Sequence, residues 1–444
     1  MIEVRGFAAK SATTPLVPFT FQRREPGAHD VRIEILYSGV CHSDLHQAKG
    51  DWGNSVFPMV PGHEIVGRVV AVGSAVKKFK VGDFAGVGCM VDSCRTCESC
   101  KQDLEQYCLT HTSFTYNGTE QDKKTPTQGG YSTEIVTEER FVVKISEKLD
   151  LKATAPLLCA GITTYSPLRH WKVGKGQKVG VIGLGGLGHM GVKFAKAMGA
   201  HVTMITTSAS KGEDAKRLGA DAVLLSTDAE AMTAAAASFN FLLNTVPVSH
   251  DINPYTNLLK LDGTMVLVGA LTPLDGVVGG SLMLPRRTIA GSAIGGMAET
   301  QEMMDFCAEH NIVSDIEVVD MASINETYVR LAKNDVRYRF VIDMATMPAI
   351  AFPAQPNYLQ TRTPQRIRFE AIPPLLPHPG RSHRGLPRVR GDKRMAEHRH
   401  AARRRTDRAR CEVARVAQRQ IRKPAADVHQ RQRRRTADVE LGAG

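Results

Sequence analysis

Short apolar runs alternate with polar or glycine-rich stretches along the first 350 or so residues. Two early runs, at 31–37 and 66–72, alternate with the period of two that is typical of a half-buried strand. Short, mainly apolar runs of three or four residues follow at 179–182, 202–205, 222–225, 241–243 and 265–268. The pattern predicts a β-rich first part and a second part of short, fully buried strands.

A glycine-rich turn follows the first of these buried strands. It occupies residues 183–188, and a helical pattern continues to Met198 before the next strand begins. Strand, turn, helix and strand form one βαβ unit, so an α/β domain with a doubly wound parallel sheet is predicted at 156–290. The mixed segment 291–348 is expected to return to the β-rich first domain, 1–155.

The end of the chain has a different composition. From Phe352 to Gly444 there are 23 Lys and Arg against 8 Asp and Glu, whereas the residues before it carry 34 and 37. Because this stretch has no lasting apolar period, 349–444 is predicted to be a disordered, Arg-rich basic tail that catalysis does not need. A frameshifted or run-on terminus is the favoured explanation. Nucleic-acid binding through phosphate contacts is the alternative, and nucleic acid is not expected as a partner.

The chain shows no feature of a membrane or secreted protein. No run approaches 18 uninterrupted apolar residues, and Met1–Arg5 lacks the apolar core of a signal peptide. The nine cysteines are therefore expected to be reduced, in a cytoplasmic protein whose thiolates bind metal rather than pair.

Four closely spaced cysteines form the most specific motif. They follow the pattern C-x2-C-x2-C-x7-C at Cys94, Cys97, Cys100 and Cys108. Such a dense set is typical of a closed, structural zinc site, and scattered free thiols are a poor explanation of the spacing. The spacing assigns no role to Cys89, while Cys307 and Cys411 are most simply bystanders.

A second ligand set is spread along the chain at Cys41, His63 and Cys159. A catalytic zinc needs three protein ligands and one vacant position, and a Cys2His set makes a Lewis acid suited to a carbonyl or an alkoxide. Glu64, next to His63, is expected to tune this site. Taken singly, Cys159 fits a core position and the Gly-His-Glu tripeptide fits a turn, but in combination they predict an open zinc site.

Ser43 and His46 lie shortly after Cys41. A hydroxyl on the substrate oxygen and an imidazole nearer solvent would form a proton relay. A surface turn would explain the same spacing, so the sequence leaves both a proton relay and a surface turn open.

The glycine-rich turn predicts a dinucleotide site. Its residues Gly183, Gly185, Gly186, Leu187 and Gly188 let a pyrophosphate approach the backbone at the start of a helix. An NAD site usually carries an acidic residue after the next strand, whereas this chain has Thr206-Thr207-Ser208-Ala209-Ser210-Lys211. Hydroxyl groups and a lysine suit the 2′-phosphate of NADP, so Thr207, Ser208 and Lys211 are predicted contacts. A solvated loop with a chance lysine is the alternative.

Together these motifs resemble those of the zinc-dependent medium-chain alcohol dehydrogenases. Within that family they are most similar to the NADP-dependent aldehyde reductases of the cinnamyl-alcohol-dehydrogenase type. The matching stretches follow the family's order at 39–46, 60–67, 92–100, 129–132, 158–165, 183–189 and 335–343. The resemblance implies a GroES-like catalytic domain around a Rossmann cofactor domain, and nothing after about residue 348 matches.

The resemblance also implies two zinc ions per chain and hydride transfer between NADP(H) and an aldehyde or primary alcohol, mainly as aldehyde reduction. Ser43 and His46 would be the relay, Thr163 would lie near the nicotinamide, and Trp52 would line the substrate pocket. Two chains would form a homodimer through the Rossmann sheet. A polyol or formaldehyde dehydrogenase on the same scaffold is the alternative, although the lack of an acidic residue at 206–208 speaks against the NAD-linked members.

Overall fold

The computed structural model describes residues 1–269, 272–274 and 276–349. The predicted tail from Ile350 onward, including Cys411, lies outside the described residues. Within the described part of the chain, no helix is long and apolar enough to cross a lipid bilayer.

The first part of the chain is mostly strand. Its strands are β1 (Ile2–Ala9), β2 (Leu16–Arg23), β3 (Asp30–Val40), β4 (Ile65–Val72), β5 (Phe84–Val87), β6 (Met90–Asp92), β7 (Ser113–Phe114), β8 (Glu134–Glu138) and β9 (Val143–Lys144). Its helices are α1 (His42–Lys49), α2 (Leu151–Thr154) and α3 (Ala160–His170). The alternating runs 31–37 and 66–72 lie in β3 and β4 as predicted. Alternate side chains of β3 face the core, because Val31, Ile33 and Ile35 are all buried.

The second part is a six-stranded parallel sheet with helices between its strands. The strands are β10 (Lys178–Ile182), β11 (His201–Thr206), β12 (Ala222–Leu225), β13 (Phe239–Asn244), β14 (Leu259–Leu267) and β15 (Thr288–Gly291). The helices are α4 (Gly188–Ala197), α5 (Gly212–Arg217), α6 (Ala229–Ala234), α7 (Asn253–Thr256), α8 (Gly279–Met283) and α9 (Met297–His310). The strand order β12-β11-β10-β13-β14-β15 confirms the predicted doubly wound sheet, in which ligands bind where the order reverses.

The chain then returns to the first part. It adds β16 (Ile316–Asp320), α10 (Ile324–Ala332) and β17 (Arg339–Asp343). β17 pairs with β16 in parallel and with β3 in antiparallel orientation. The larger sheet therefore runs β16-β17-β3-β4-β5-β9, with β8 also paired to β3, and the last strand lies inside a sheet built mainly from the first part.

Large clusters of buried apolar side chains form the cores of the two sheets. One packs the parallel sheet against its helices and includes Val179, Val181, Met190, Val202 and Leu243. Another fills the β-rich part and includes Val31, Ile33, Val69, Ile135 and Phe340. Full burial of such a side chain contributes roughly 1.5–3 kcal/mol. Phe340 comes from β17, so the returning strand is part of the first core and not an appendage.

Candidate active site

The fold gathers Cys41, His63, Glu64 and Cys159, whose ligand atoms all lie within 4.8 Å of one another. Cys41 follows β3 and caps α1, His63 and Glu64 precede β4, and Cys159 caps α3. The two thiol sulfurs are 4.0 Å apart, and all four residues are buried. Two thiols, an imidazole and a carboxylate in one buried cluster make a donor set that suits zinc.

Asp44 holds the histidine of this set, a role that no sequence motif indicated. Its buried carboxylate accepts hydrogen bonds from His63 Nδ1 at 2.9 Å and from the Tyr131 hydroxyl at 3.1 Å. The backbone N–H groups of Cys41 and Gly62 also donate to it, at 2.9 and 3.1 Å. With Nδ1–H engaged by the carboxylate, Nε2 of His63 is left as the ligand nitrogen.

The backbone before the histidine requires glycine. Gly62 has a φ of +104°, and a Cβ there would lie 2.7 Å from Tyr131 Cδ1 and 2.8 Å from the nitrogen of Gly130. Any other residue would meet both a strained φ and a clash. The ring of His63 packs on Tyr116, with the two ring centroids 5.7 Å apart. The imidazole is therefore fixed before any metal binds.

Glu64 is paired with Arg339 from β17. Arg339 Nη2 donates to Glu64 Oε1, and the two side chains are 4% and 0% exposed. Burial raises the pKa of the Glu64 carboxyl, and Arg339 opposes that rise. Burial disfavours the Arg339 charge, but Glu64 and the thiols outweigh it and hold the pKa of the guanidinium above its ordinary value. Among the described residues Glu64 Oε2 and Arg339 Nε are buried without a hydrogen-bond partner, which fits a site that awaits further polar groups.

Removing the arginine is expected to destabilise the fold. Arg339→Met leaves Glu64 as a buried carboxylate without its counter-ion, and breaking a buried ion pair from one side costs about 3–5 kcal/mol. Urea denaturation should show a lower midpoint with an unchanged m-value. The double variant Glu64→Gln/Arg339→Met removes both charges and should recover most of the loss. A double variant as unstable as the single one would contradict this account.

Arg339 also lies against the glycine-rich turn, since a Cβ on Gly186 would be 2.9 Å from its Nη1. The turn begins at Gly183, whose φ is +92°, and a Cβ on Gly188 would be 1.8 Å from the Gly183 carbonyl oxygen. A Cβ on Gly185 would have no described atom within 4 Å, so the turn is open on that side. An open turn at the start of α4 with a guanidinium beside it suits a pyrophosphate.

The loop after β11 lies beside this turn, because β10 and β11 are in register at their carboxyl ends. Lys211 Nζ donates to the carbonyl of Leu184 at 3.2 Å, so the lysine reaches back to the turn. Ser208 Oγ is 2.8 Å from Ser210 Oγ, and Thr207 is exposed. The predicted 2′-phosphate contacts are thus brought to the edge of the glycine-rich turn.

Uncharged groups follow the turn at the start of α4. Leu187 precedes the first residue of α4, and His189 stacks on Tyr338 with 4.9 Å between ring centroids. Burial, with Lys193 and Arg339 nearby, lowers the pKa of His189 to about 3. His189 therefore remains neutral at physiological pH and adds no charge beside the turn.

The predicted relay residues lie on α1, where Ser43 and His46 are about one turn apart. His46 Nδ1 is 2.7 Å from Asp51 Oδ2, and its side chain is 42% exposed. Trp52 is also exposed, with its ring centroid 5.8 Å from that of His46. Thr163 is buried in the first turn of α3, close in sequence to the thiol that caps this helix.

The four closely spaced cysteines are gathered at a separate place. Their sulfurs lie within 4.8 Å of one another, and Cys97 Sγ is 3.4 Å from Cys100 Sγ and 3.9 Å from Cys108 Sγ. The backbone N–H of Cys97 donates to Cys94 Sγ at 3.3 Å, and that of Leu109 to Cys97 Sγ at 3.5 Å. Backbone N–H donors lower the pKa of the Cys94 thiol to about 5. They favour the thiolate form that zinc binds.

Two further cysteines differ in their surroundings. Cys89, to which the spacing assigns no role, has its Sγ 3.9 Å from the carbonyl oxygen of Leu158, next to the Cys159 ligand. Cys307 is fully buried in α9, and burial raises the pKa of its thiol above the ordinary value. Only the three-dimensional structure shows that Cys89 borders the open site.

Both parts of the chain match known protein families. Residues 27–147 match the alcohol dehydrogenase GroES-like domain, and residues 186–309 match the zinc-binding dehydrogenase domain. The aldehyde reductase YahK of Escherichia coli is 57% identical over 348 residues, which are 78% of this chain and 99% of that protein. The chain belongs to the zinc-dependent medium-chain alcohol dehydrogenases. This confirms the predicted family, the predicted GroES-like domain with a Rossmann domain, and the predicted dependence on zinc.

Two solved structures resemble this one. A cinnamyl alcohol dehydrogenase of Sorghum bicolor is 47% identical with a TM-score of 0.75, and the match covers 80% of this dehydrogenase and 100% of that chain. CAD of Helicobacter pylori, solved as a complex with NADP(H), is 42% identical with a TM-score of 0.72, covering 78% and 99% of the two chains.

Proposed function

We propose that this dehydrogenase transfers a hydride between NADP(H) and an aldehyde or primary alcohol, and that it works mainly as an aldehyde reductase. The observation that carries the proposal is the buried Cys2His set beside an open glycine-rich turn, with Arg339 between them. The relatives support it, since they include an aldehyde reductase and a dehydrogenase complexed with NADP(H).

Two metal sites follow from the two ligand sets. Cys41, His63 and Cys159 would hold the catalytic zinc, with Glu64 behind them, and the four closely spaced cysteines would hold the structural zinc. When bound, zinc supplies a Lewis acid that polarises the carbonyl, and NADPH supplies the hydride. The protein itself would hold the site in place, because Asp44 orients the His63 ligand and Arg339 pairs with the Glu64 carboxylate behind the ligands.

Reduction also requires a proton on the former carbonyl oxygen. Ser43 lies two residues after the Cys41 ligand, so its hydroxyl is the nearest relay candidate in the sequence of α1. His46 lies a turn further on, reaches solvent and contacts Asp51, which would orient its ring. The proposed path therefore runs from solvent through His46 and Ser43 to the substrate oxygen.

The coenzyme contacts divide into three groups. The backbone at 183–188, with Arg339 beside Gly186, would bind the pyrophosphate. Thr163 would lie near the nicotinamide, since α3 begins at the Cys159 ligand. Thr207, Ser208 and Lys211 would bind the 2′-phosphate.

Steady-state reduction of a panel of aromatic and aliphatic aldehydes, with NADPH and with NADH, tests the reaction and its coenzyme together. We expect at least about a tenfold preference for NADPH in kcat/KM, because a charge-assisted hydrogen bond contributes roughly 1.5–3 kcal/mol. Thr207→Asp should weaken NADPH by repulsion of the 2′-phosphate and spare NADH. Thr207→Asn is the matched uncharged control. Equal efficiency with both coenzymes in the parent enzyme would contradict the assignment of this loop.

We further propose a domain division and a homodimer. The catalytic domain would comprise 1–155 and 291–348, and the coenzyme domain 156–290. The dimer contact would run along β15, the edge strand of the parallel sheet. Exposed apolar side chains lie near this edge in sequence, namely Val277, Val278, Met283 and Leu284. An edge strand with exposed apolar neighbours favours pairing with a second copy.

A cytoplasmic location is proposed because the described cysteines are free thiols.

A further inference from the structure

The lobe formed by Cys94–Cys108 contacts the segment of chain that links β15 to α9. Tyr107 Oη accepts a hydrogen bond from the backbone nitrogen of Ala293 at 3.1 Å. Glu105 Oε2 accepts one from the backbone nitrogen of Met297 at 3.0 Å. Tyr107 directly precedes Cys108, the last cysteine of the lobe, and Glu105 lies three residues before it, so the geometry of the cysteine cluster constrains where both acceptors lie.

The backbone between these two contacts is packed tightly on both sides. A Cβ on Gly296 would lie 1.8 Å from the carbonyl oxygen of Asp103 in the lobe. A Cβ on Gly295 would lie 2.6 Å from Ile162 Cδ1 on α3, three residues after the Cys159 ligand. One glycine pair therefore separates the lobe from the helix that carries a ligand of the open site.

The same segment contains an unusual backbone conformation. Ile294, between the two hydrogen-bonded nitrogens, has a φ of +41°. A β-branched residue adopts this left-handed conformation only where surrounding contacts hold it, and such residues cluster at functional sites. The segment 292–297 follows β15 at the carboxyl end of the parallel sheet, the edge at which such sheets bind their ligands.

We propose that the lobe positions segment 292–297 against the coenzyme and the aldehyde, with Glu105 and Tyr107 as the positioning residues. Zinc held by the four lobe cysteines would then matter for turnover as well as for stability, because the lobe carries the two side chains that hold the backbone on either side of Ile294. Glu105 also lies at the positive end of the 14-residue helix α9, where a carboxylate is favoured over a neutral acceptor. The inference rests on the proposed reductase reaction.

The test uses Glu105→Gln, Glu105→Ala and Tyr107→Phe in the full chain with both zincs bound. Glu98→Gln, at an exposed acidic residue of the same lobe, is the matched control. We expect kcat to fall about tenfold in Glu105→Ala and in Tyr107→Phe, the order of one lost hydrogen bond that orients a reacting group. Glu105→Gln keeps an acceptor oxygen and should fall less. All variants should retain two zincs, and Glu98→Gln should match the parent.

Kinetic constants of the Glu105 and Tyr107 variants equal to those of Glu98→Gln would overturn the proposal. Loss of a zinc in Glu105→Ala, with parental kinetics in Glu105→Gln and Tyr107→Phe, would also overturn it, because these residues would then only hold the lobe together. NADPH affinity, measured by fluorescence, separates this inference from the proposed function. If the parent reduces no aldehyde, the reaction is wrong, while weaker NADPH binding in Glu105→Ala still supports positioning by the lobe.

Discussion

In a Cys159→Ala variant we expect the rate of aldehyde reduction to fall by about a thousandfold or more. A bound metal acting as a Lewis acid stabilises the transition state by several kcal/mol, and each loss of about 1.4 kcal/mol lowers the rate tenfold. Cys159 supplies one of only two thiols in the open set, and its sulfur lies 4.0 Å from that of Cys41. Zinc content should fall from two ions per chain to one. The measurement pairs kcat/KM with metal analysis of the same sample.

Cys307→Ala is the matched control for this variant, since it also removes a buried thiol but lies in α9, away from both ligand sets. It should keep two zincs and most of the parental turnover, although the small cavity lowers stability somewhat. Near-parental activity in a Cys159→Ala sample that has been shown to contain a single zinc would refute the assignment of the open site.

A Cys100→Ser variant should lose the other zinc and a large part of the fold's stability. A hydroxyl group does not replace a thiolate in a closed four-sulfur site, and apparent binding energies of structural zinc reach about 10–16 kcal/mol in small zinc-finger peptides. Because most of this chain folds around its own cores, we expect a smaller loss of several kcal/mol. Thermal unfolding and zinc analysis measure both effects, and the remaining lobe thiols should become reactive to a thiol reagent.

Ser99→Ala, next to the substituted position, is the control for a change in the lobe that removes no sulfur. It should keep both zincs and unfold near the parental temperature. A Cys100→Ser protein that retains two zincs would show that the four cysteines do not form one closed site.

The site residues that could be predicted from the sequence all belong to short motifs with a recognisable local spacing. The four lobe cysteines lie within 15 consecutive positions, and the glycine-rich turn is a single stretch after an apolar run. Cys41, His63 and Cys159 are far apart, but each belongs to a recognisable short motif. The parallel sheet was predicted for the same reason, since five of its six strands contain a short, mainly apolar run such as 222–225, the whole of β12.

The residues that were not predicted act through distant partners. Asp44 is an ordinary acidic residue in the first turn of a helix until the fold brings His63 and Tyr131 to it, and Tyr131 lies 87 positions away. Arg339 is 275 positions from Glu64. Its only signal in the sequence is a charge inside the otherwise apolar run 338–342, which indicates burial but not a partner. Glu105 and Tyr107 likewise resemble surface residues until α9 meets them.

The late position of β17 has a consequence for the order in which the protein is made. Chains leave the ribosome from the N-terminus, and their domains fold as they emerge. The zinc ligands and Glu64 emerge early, whereas Arg339 appears only with β17, which inserts between β16 and β3. A nascent chain therefore carries every metal ligand long before it has the counter-ion that makes the site stable. Translation that stops before residue 339 yields no working enzyme, so activity itself reports that the catalytic domain was completed.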